Sequence, residues 1–230
     1  MMETEEFIGE LIERAGAAGV DLSRDQAALC LRHADAMLQW NARINLTRVT
    51  RPRDVLVKHI LDSILPVPWL FREGFLPVAK GAECNVLDVG TGPGYPGIPL
   101  KIVRPRDQFV LLDGNRKKVS FLTVVINQLG LSGIRAVQGR FENPEDSWTG
   151  AGPFHLIVMR AVRPEPVLFK CVRELLARNG IFAWWAGPEA DLNGVSRDAE
   201  GHGLDLEADY PYELPLESSS RRLITWRKNS

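Results

Sequence analysis

The run Val86-Leu87-Asp88-Val89-Gly90-Thr91-Gly92-Pro93-Gly94-Tyr95-Pro96-Gly97 constrains this chain more than any other segment. Its apolar start reads as a strand buried on both faces, and ligands bind beyond the carboxyl ends of such parallel strands. The glycines admit positive φ and remove Cβ atoms, so that backbone can approach a ligand closely. Pro96 and Pro99 suit the first turn of a following helix, where a missing N–H costs nothing.

From Asn85 onward, short apolar runs alternate with helical stretches. Strands are expected at residues 85–89, 108–113, 134–138, 155–159 and 181–185, and helices near 98–103, 116–129 and 165–176. Such alternation makes a parallel, doubly wound sheet with right-handed crossovers. Two further runs, 210–216 and 222–226, are separated by Ser218-Ser219-Ser220 rather than by a helix, and read as a terminal hairpin with one strand entering the sheet antiparallel. The expected fold is therefore α/β. It is a class I, Rossmann-like methyltransferase sheet of seven mostly parallel strands ending in an antiparallel hairpin. The chain ahead of it reads as helical. Ser23 and Gln26 form a capping-box pattern, and residues 54–65 resume a helix stopped by Pro66 and Pro68. The expected organisation is a helical extension over residues 1–73 and a main domain over residues 74–230.

Gly92-Pro93-Gly94-Tyr95-Pro96-Gly97 also satisfies the dinucleotide pattern G-x-G-x-x-G. A nicotinamide-dependent oxidoreductase is thus an alternative. Asp88 counts against it, because an acid before the first glycine repels a pyrophosphate but suits a cofactor with an amino group and a sulfonium. The favoured cofactor is S-adenosylmethionine, with Asp88, Gly90, Gly92 and Gly94 around it. Asp113 ends the second strand, where an acid accepts from both ribose hydroxyls; the alternative is an N-cap for the next helix. Phe141 and Glu142 follow the third strand at the level of the adenine, and core packing is the other reading of Phe141.

The acceptor is narrowed by what the fourth strand leads into. Attack by carbon 5 of a pyrimidine needs a nucleophilic cysteine. Cys30, Cys84 and Cys171 lie elsewhere, and neither a disulfide framework nor a zinc pattern emerges from them. Methylation of an exocyclic amine uses an Asn/Asp-Pro-Pro-aromatic turn, whereas this chain reads Met159-Arg160-Ala161-Val162-Arg163-Pro164. Arginine suits an anion or a guanine, whose O6 and N7 accept a bidentate fork. Guanine N7 carries no proton, so placement rather than a general base would drive its methylation. The alternative for Arg160 is a salt bridge to Asp88 or Glu142.

Charge is divided along the chain. Residues 43–120 hold thirteen basic and seven acidic side chains, in a protein whose net charge is only −1. Such an excess flanking the glycine loop admits a phosphate-rich substrate, although a solvated face is the commoner meaning of a charge cluster. The acidic start lacks the form of a signal peptide, and no apolar run is long enough to span a bilayer. The expectation is a cytoplasmic monomer that uses neither membrane nor metal.

Asn45-Leu46-Thr47, Lys58-His59-Ile60-Leu61-Asp62-Ser63, the run Asp88 to Leu100 and Leu111-Leu112-Asp113 together resemble one family. It is the bacterial small-subunit (16S) ribosomal RNA guanine-N7 methyltransferases, historically called glucose-inhibited division protein B. The resemblance covers nearly the whole chain. It implies methyl transfer to N7 of a guanine in small-subunit ribosomal RNA, with the rRNA or the small subunit as partner. It also implies cofactor contacts at Gly90, Tyr95, the backbone of Phe141 and Glu142, and Arg160. Arg43, Arg48, Arg51, Arg53 and Lys58 would then bind RNA phosphates. His59, in a helical setting with no proton to remove, reads as structural. Tyr95 stands where the family usually has leucine. Ala186 stands before Gly187 where many members carry lysine, and Arg163 is the expected substitute. A paralogue with an altered or lost acceptor is the alternative which that departure leaves open.

Overall fold

The computed structural model describes residues 3–79, 81–141, 152–160, 163–217 and 220–229. Five of its strands match the alternation of apolar runs: β1 (Asn85–Val89), β2 (Gln108–Asp113), β3 (Ile134–Gln138), β4 (Phe154–Arg160) and β5 (Leu176–Ala186). β6 (Leu204–Glu213) and β7 (Ser220–Lys228) complete a seven-stranded sheet in the order β3-β2-β1-β4-β5-β7-β6. β1 to β5 pair in parallel, and β7 enters antiparallel against β5. This is the expected class I architecture.

Each strand divides its side chains between two cores, as a period of two requires. Val86, Phe109, Leu111, Leu156, Val158, Ile181, Ala183 and Trp185 face one layer, which also contains the buried faces of α1 (Thr4–Ala17), α2 (Arg24–Ile44), α6 (Gly97–Val103) and α7 (Arg116–Leu129). Leu87, Val110, Leu112, Ile157, Met159, Phe182 and Trp184 face the other, covered by α8 (Pro166–Leu175) and α9 (Leu192–Glu200). Between α2 and β1 run the short α3 (Pro52–Val55), a π-helical turn (Leu56–Leu61), α4 (Asp62–Ile64) and α5 (Val67–Leu70).

The N-terminal helices are held to the sheet layer by specific bonds as well as by burial. Ser23 caps α2, its hydroxyl accepting from Gln26 N at 3.1 Å. The Gln26 side chain in turn donates to Ile102 O of α6 at 2.8 Å. Arg32 of α2 donates to Gln128 O of α7.

Four boundaries differ from the sequence reading. β5 begins at Leu176 rather than 181, because a register shift against β4 lets Leu176 pair with Phe154 before Ile181 pairs with Leu156. β6 runs 204–213 rather than 210–216. It is an edge strand whose residues are mostly exposed or half-buried, so its apolar signal is weak, and an edge tolerates Pro211. α9 has only Val195, Ser196 and Ala199 buried and contains Gly194, so its helical pattern is faint; Asp191 starts it by accepting from Gly194 N at 3.0 Å. The helix expected over 54–65 is broken by the π-helical turn, a distortion often found at functional sites.

Candidate functional site

The glycine loop leaves β1 with Gly90, Gly92 and Gly94 at φ of 66°, 59° and 95°. Gly97 is different, because it sits in α6 with ordinary φ and its lack of a Cβ is a matter of space. A Cβ there would lie 2.3 Å from Leu111 Cδ2 and 2.6 Å from Asp88 Oδ2. Asp88 is fully buried. Its Oδ2 accepts from Thr91 Oγ1 at 2.6 Å and from Gly97 N at 2.8 Å, while Oδ1 is buried without a partner among the described residues. Burial pushes this carboxyl up to about 6 against the pull of those two donors. Asp88 thus braces the loop from behind.

In front of the loop, at the carboxyl ends of the parallel strands, lies a cleft of about 610 Å³. It is lined by Val89 and Gly90 at the end of β1, Leu112, Asp113 and Gly114 at the end of β2, and Gly139, Arg140 and Phe141 after β3. Met159 of β4 and Arg163, Glu165, Val167 and Leu168 close the far side. The Asp113 carboxylate accepts from Gly92 N at 3.0 Å and from Asn115 N at 2.8 Å, which ties β2 to the loop. A carboxylate offers about four acceptor positions, so these two bonds leave two, with Lys118 Nζ standing 3.7 Å from Oδ2. The cap of α7 is Asn115, accepting from Lys117 N at 2.9 Å, and not Asp113. Phe141 is buried against the apolar core beside β4 while still lining the cleft. Arg163 stands at the exposed rim, 3.3 Å from Asp191.

Of the residues singled out in the sequence, Gly90, Asp113, Phe141 and Arg163 therefore line one cleft. Asp88, Gly92, Gly94, Tyr95 and Arg160 lie outside its lining, and Glu142 lies outside the described residues. Ala186 is buried, and its partner on the neighbouring strand β7 is Arg222, which pairs with Asp209 at 2.6 Å and donates to Ala190 O at 3.1 Å.

Tyr95 and Arg160 belong to a second cluster behind the loop. The Tyr95 ring lies between two imidazoles, 4.6 Å from His33 and 4.7 Å from His59. His33 Nε2 meets Pro93 O at 2.8 Å, and His59 Nε2 meets Thr47 Oγ1 at 3.0 Å. His59 is thus hydrogen-bonded to the Asn45-Leu46-Thr47 segment. The Arg160 guanidinium sits 5.4 Å over the Tyr95 ring and pairs with Asp62 at 3.1 Å, not with Asp88. Asp62, Tyr212 and Trp185 were missed as site residues, because their meeting depends on the hairpin folding back. Asp62 was signalled by being an acid in the run 55–65 and by its place in the segment Lys58 to Ser63; nothing in the sequence pointed to Tyr212 or Trp185.

Burial lowers His33 to about 4 and, with the Arg160 charge, lowers His59 to about 3. The stability linked to these two imidazoles is complete above pH 6.5 and drains as pH falls toward 4 and 3. Asp88 works in the opposite sense, since its protonation is linked to stability present below pH 3.8 and lost as pH rises through about 6. Two histidines outweigh one aspartate. Urea unfolding at pH 5 should therefore give a stability roughly 2–3 kcal/mol below that at pH 7. A doubly substituted His33→Gln, His59→Gln chain should reverse the sign of that difference.

The basic segment is not uniform. Arg53 is 3.3 Å from Glu10, and Lys58 is 3.7 Å from Asp54 and 2.8 Å from Glu217. Arg43, Arg48 and Arg51 are exposed and, among the described residues, carry no ion pair. Among those residues, too, no helix is long and apolar enough to cross a membrane.

Comparison with known proteins gives a consistent result. The model of the family described as GidB, rRNA small subunit methyltransferase G, matches residues 26–201. A ribosomal RNA small subunit methyltransferase G 1 from Syntrophobacter fumaroxidans is 42% identical over 211 residues, covering 91% of each chain. One from Yersinia enterocolitica is 43% identical over 217 residues, covering 93% of this chain and 95% of its own. Among solved structures, a 16S rRNA (adenine(1408)-N(1))-methyltransferase from Catenulisporales acidiphilia superposes with a TM-score of 0.54 at 12% identity. That match covers 66% of this chain and 88% of the other, and speaks to the fold alone.

Proposed function

Because the chain belongs to the rRNA small subunit methyltransferase G family, we propose that it transfers a methyl group from S-adenosylmethionine to N7 of a guanine in small-subunit ribosomal RNA. The observation that carries this reading is the cleft beside the glycine loop, which offers close-approaching backbone, the Asp113 carboxylate at the end of β2 and an apolar wall. These residues fit the cofactor. Asp113 has two acceptor positions left for a diol, Phe141 and Leu168 offer apolar surface to a base, and Gly90 presents backbone without a side chain. When bound, the cofactor supplies an electrophilic methyl group on a sulfonium.

The chain's own task is placement. Guanine N7 has no proton to lose, so no general base is required, and none of the buried cysteines is needed as a nucleophile. Arg163 at the rim presents a guanidinium to an incoming anion or guanine edge, and takes the part of the cation absent at Ala186. Residues 1–73 form the RNA-facing extension, with Arg43, Arg48, Arg51, Arg53 and Lys58 holding phosphates.

Incubation with methyl-labelled cofactor and either small subunits or naked small-subunit rRNA, followed by nucleoside mass spectrometry, tests the reading. The expected product is 7-methylguanosine at one position. Label in protein, lipid or small molecules but not in RNA would sink it. So would a chain that binds NAD while ignoring S-adenosylhomocysteine.

A further inference from the structure

We propose that Asp62 is the positioning residue for Arg160, holding it so that the RNA-facing extension and the cofactor cleft act as one unit. This rests on the reading of the cleft given above. Arg160 is the last residue of β4 and follows Met159, which lines the cleft. Its backbone therefore continues directly from the cleft wall, while its side chain lies on the other side of the loop.

The guanidinium is turned away from solvent and toward the N-terminal segment. Its Nη1 donates to Asp62 Oδ2 at 3.1 Å and to Lys58 O at 3.1 Å, and its Nη2 lies 3.3 Å from His59 Nδ1. The π-helical turn thus supplies a backbone acceptor and an imidazole, while Asp62 immediately after it supplies the charge. Both ionic groups are nearly enclosed, with side chains 12% and 9% exposed. A charge so placed keeps one orientation only while its counter-ion is present.

Asp62 is itself fixed from the opposite side. Tyr212 of β6 donates its hydroxyl to Oδ1 at 2.7 Å, and Trp185 of β5 donates Nε1 to the Asp62 backbone carbonyl at 2.9 Å. Arg221 of β7 stands 3.9 Å from Oδ1. One carboxylate therefore meets side chains from three strands, and a fourth strand bonds its backbone. The same node reaches the glycine loop through His59 on Tyr95, and the Asn45-Leu46-Thr47 segment through His59 and Thr47. Lys58, one turn before Asp62, carries the basic segment into it. The geometry joins RNA-facing charges, loop and β4 terminus at a single acid.

A double-mutant cycle with Asp62→Asn and Arg160→Ala tests this, because Asn keeps the shape and an acceptor but removes the charge. In the otherwise wild-type chain, Asp62→Asn should weaken S-adenosylhomocysteine binding several-fold and lower kcat on small subunits about tenfold. In the Arg160→Ala background, the same substitution should change either quantity less than twofold. A loss of equal size in both backgrounds overturns the proposal, since it would mean that Asp62 acts through general stability. So does a single Asp62→Asn chain that binds and turns over like wild type. Should Asp62→Asn fail to fold, Asp62→Glu, which keeps the charge and shifts its position, takes its place in the cycle with the same criteria. A wild-type chain that binds S-adenosylhomocysteine but labels no RNA defeats the functional reading alone, and the coupling is then read from affinity. One that binds no S-adenosylhomocysteine defeats both.

Discussion

Gly97→Ala is expected to lower the melting temperature by about 6–12 °C and to remove most S-adenosylhomocysteine binding. An alanine near a helix start ordinarily stabilises by up to about 1 kcal/mol relative to glycine. Here the added methyl group has nowhere to go. It would lie 2.3 Å from the side chain of Leu111, which is wholly buried under α6 and α7, and 2.6 Å from the Asp88 oxygen that accepts from Gly97 itself. Overpacking of this kind costs about 1–3 kcal/mol, and displacing a buried acceptor from its donors costs about as much again. A net loss near 3 kcal/mol corresponds to the stated shift for a chain of this size. The binding loss has a separate origin. Asp88 holds Thr91 and Gly97 together, so moving it reshapes the loop that forms one wall of the cleft. Differential scanning calorimetry and ligand titration on the same sample read the two effects. An alanine variant with unchanged melting and affinity would show that the loop is not braced as described.

The triple replacement Arg43→Ala, Arg48→Ala, Arg51→Ala should weaken binding to small-subunit RNA by about a hundredfold at physiological salt. The slope of log affinity against log salt should also flatten, by roughly 0.7–0.9 for each phosphate that an arginine no longer neutralises. Folding should be untouched, with a stability change within about 0.5 kcal/mol, because these side chains are exposed and carry no ion pair among the described residues. Arg53 and Lys58 are poorer subjects for the same experiment. Each is paired with an acid, so its removal mixes weaker RNA binding with a rearranged neighbour. Filter binding across a salt series, with S-adenosylhomocysteine affinity as control, separates the outcomes. An unchanged salt slope would remove this segment from the RNA interface.

Short continuous apolar runs located β1, β2 and β4 almost to the residue, since strands buried on both faces can be built from little else, and β3 was placed by its spacing although its residues are half-buried or exposed. The edge strand β6 and the polar helix α9 were displaced or missed for the complementary reason, that each buries little. Within the site, Gly90, Asp113 and Phe141 were legible because strand ends in a parallel sheet converge on one cleft. The orientation of Asp88 was not legible. Its position before the glycines says that it is near the loop, but only packing decides whether it faces the cofactor side or the helix behind. Arg160 carried the same ambiguity: an acid partner was foreseeable, yet Asp62, nearly a hundred residues earlier, comes to it only because the extension folds against the hairpin.

The three cysteines give the molecule a built-in set of opening sensors. Cys30 lies in α2, Cys84 immediately before β1 and Cys171 in α8, so they sample the N-terminal helices, the edge of entry to the sheet and the opposite helical layer. All three are buried thiols, and burial pushes Cys30 up to about 12 and Cys84 higher still. A maleimide added at neutral pH meets no exposed sulfur at these positions until the surrounding layer parts. The order in which the three are alkylated would then rank the layers by the free energy of their local opening, and bound cofactor would slow each in proportion to how far it steadies that layer.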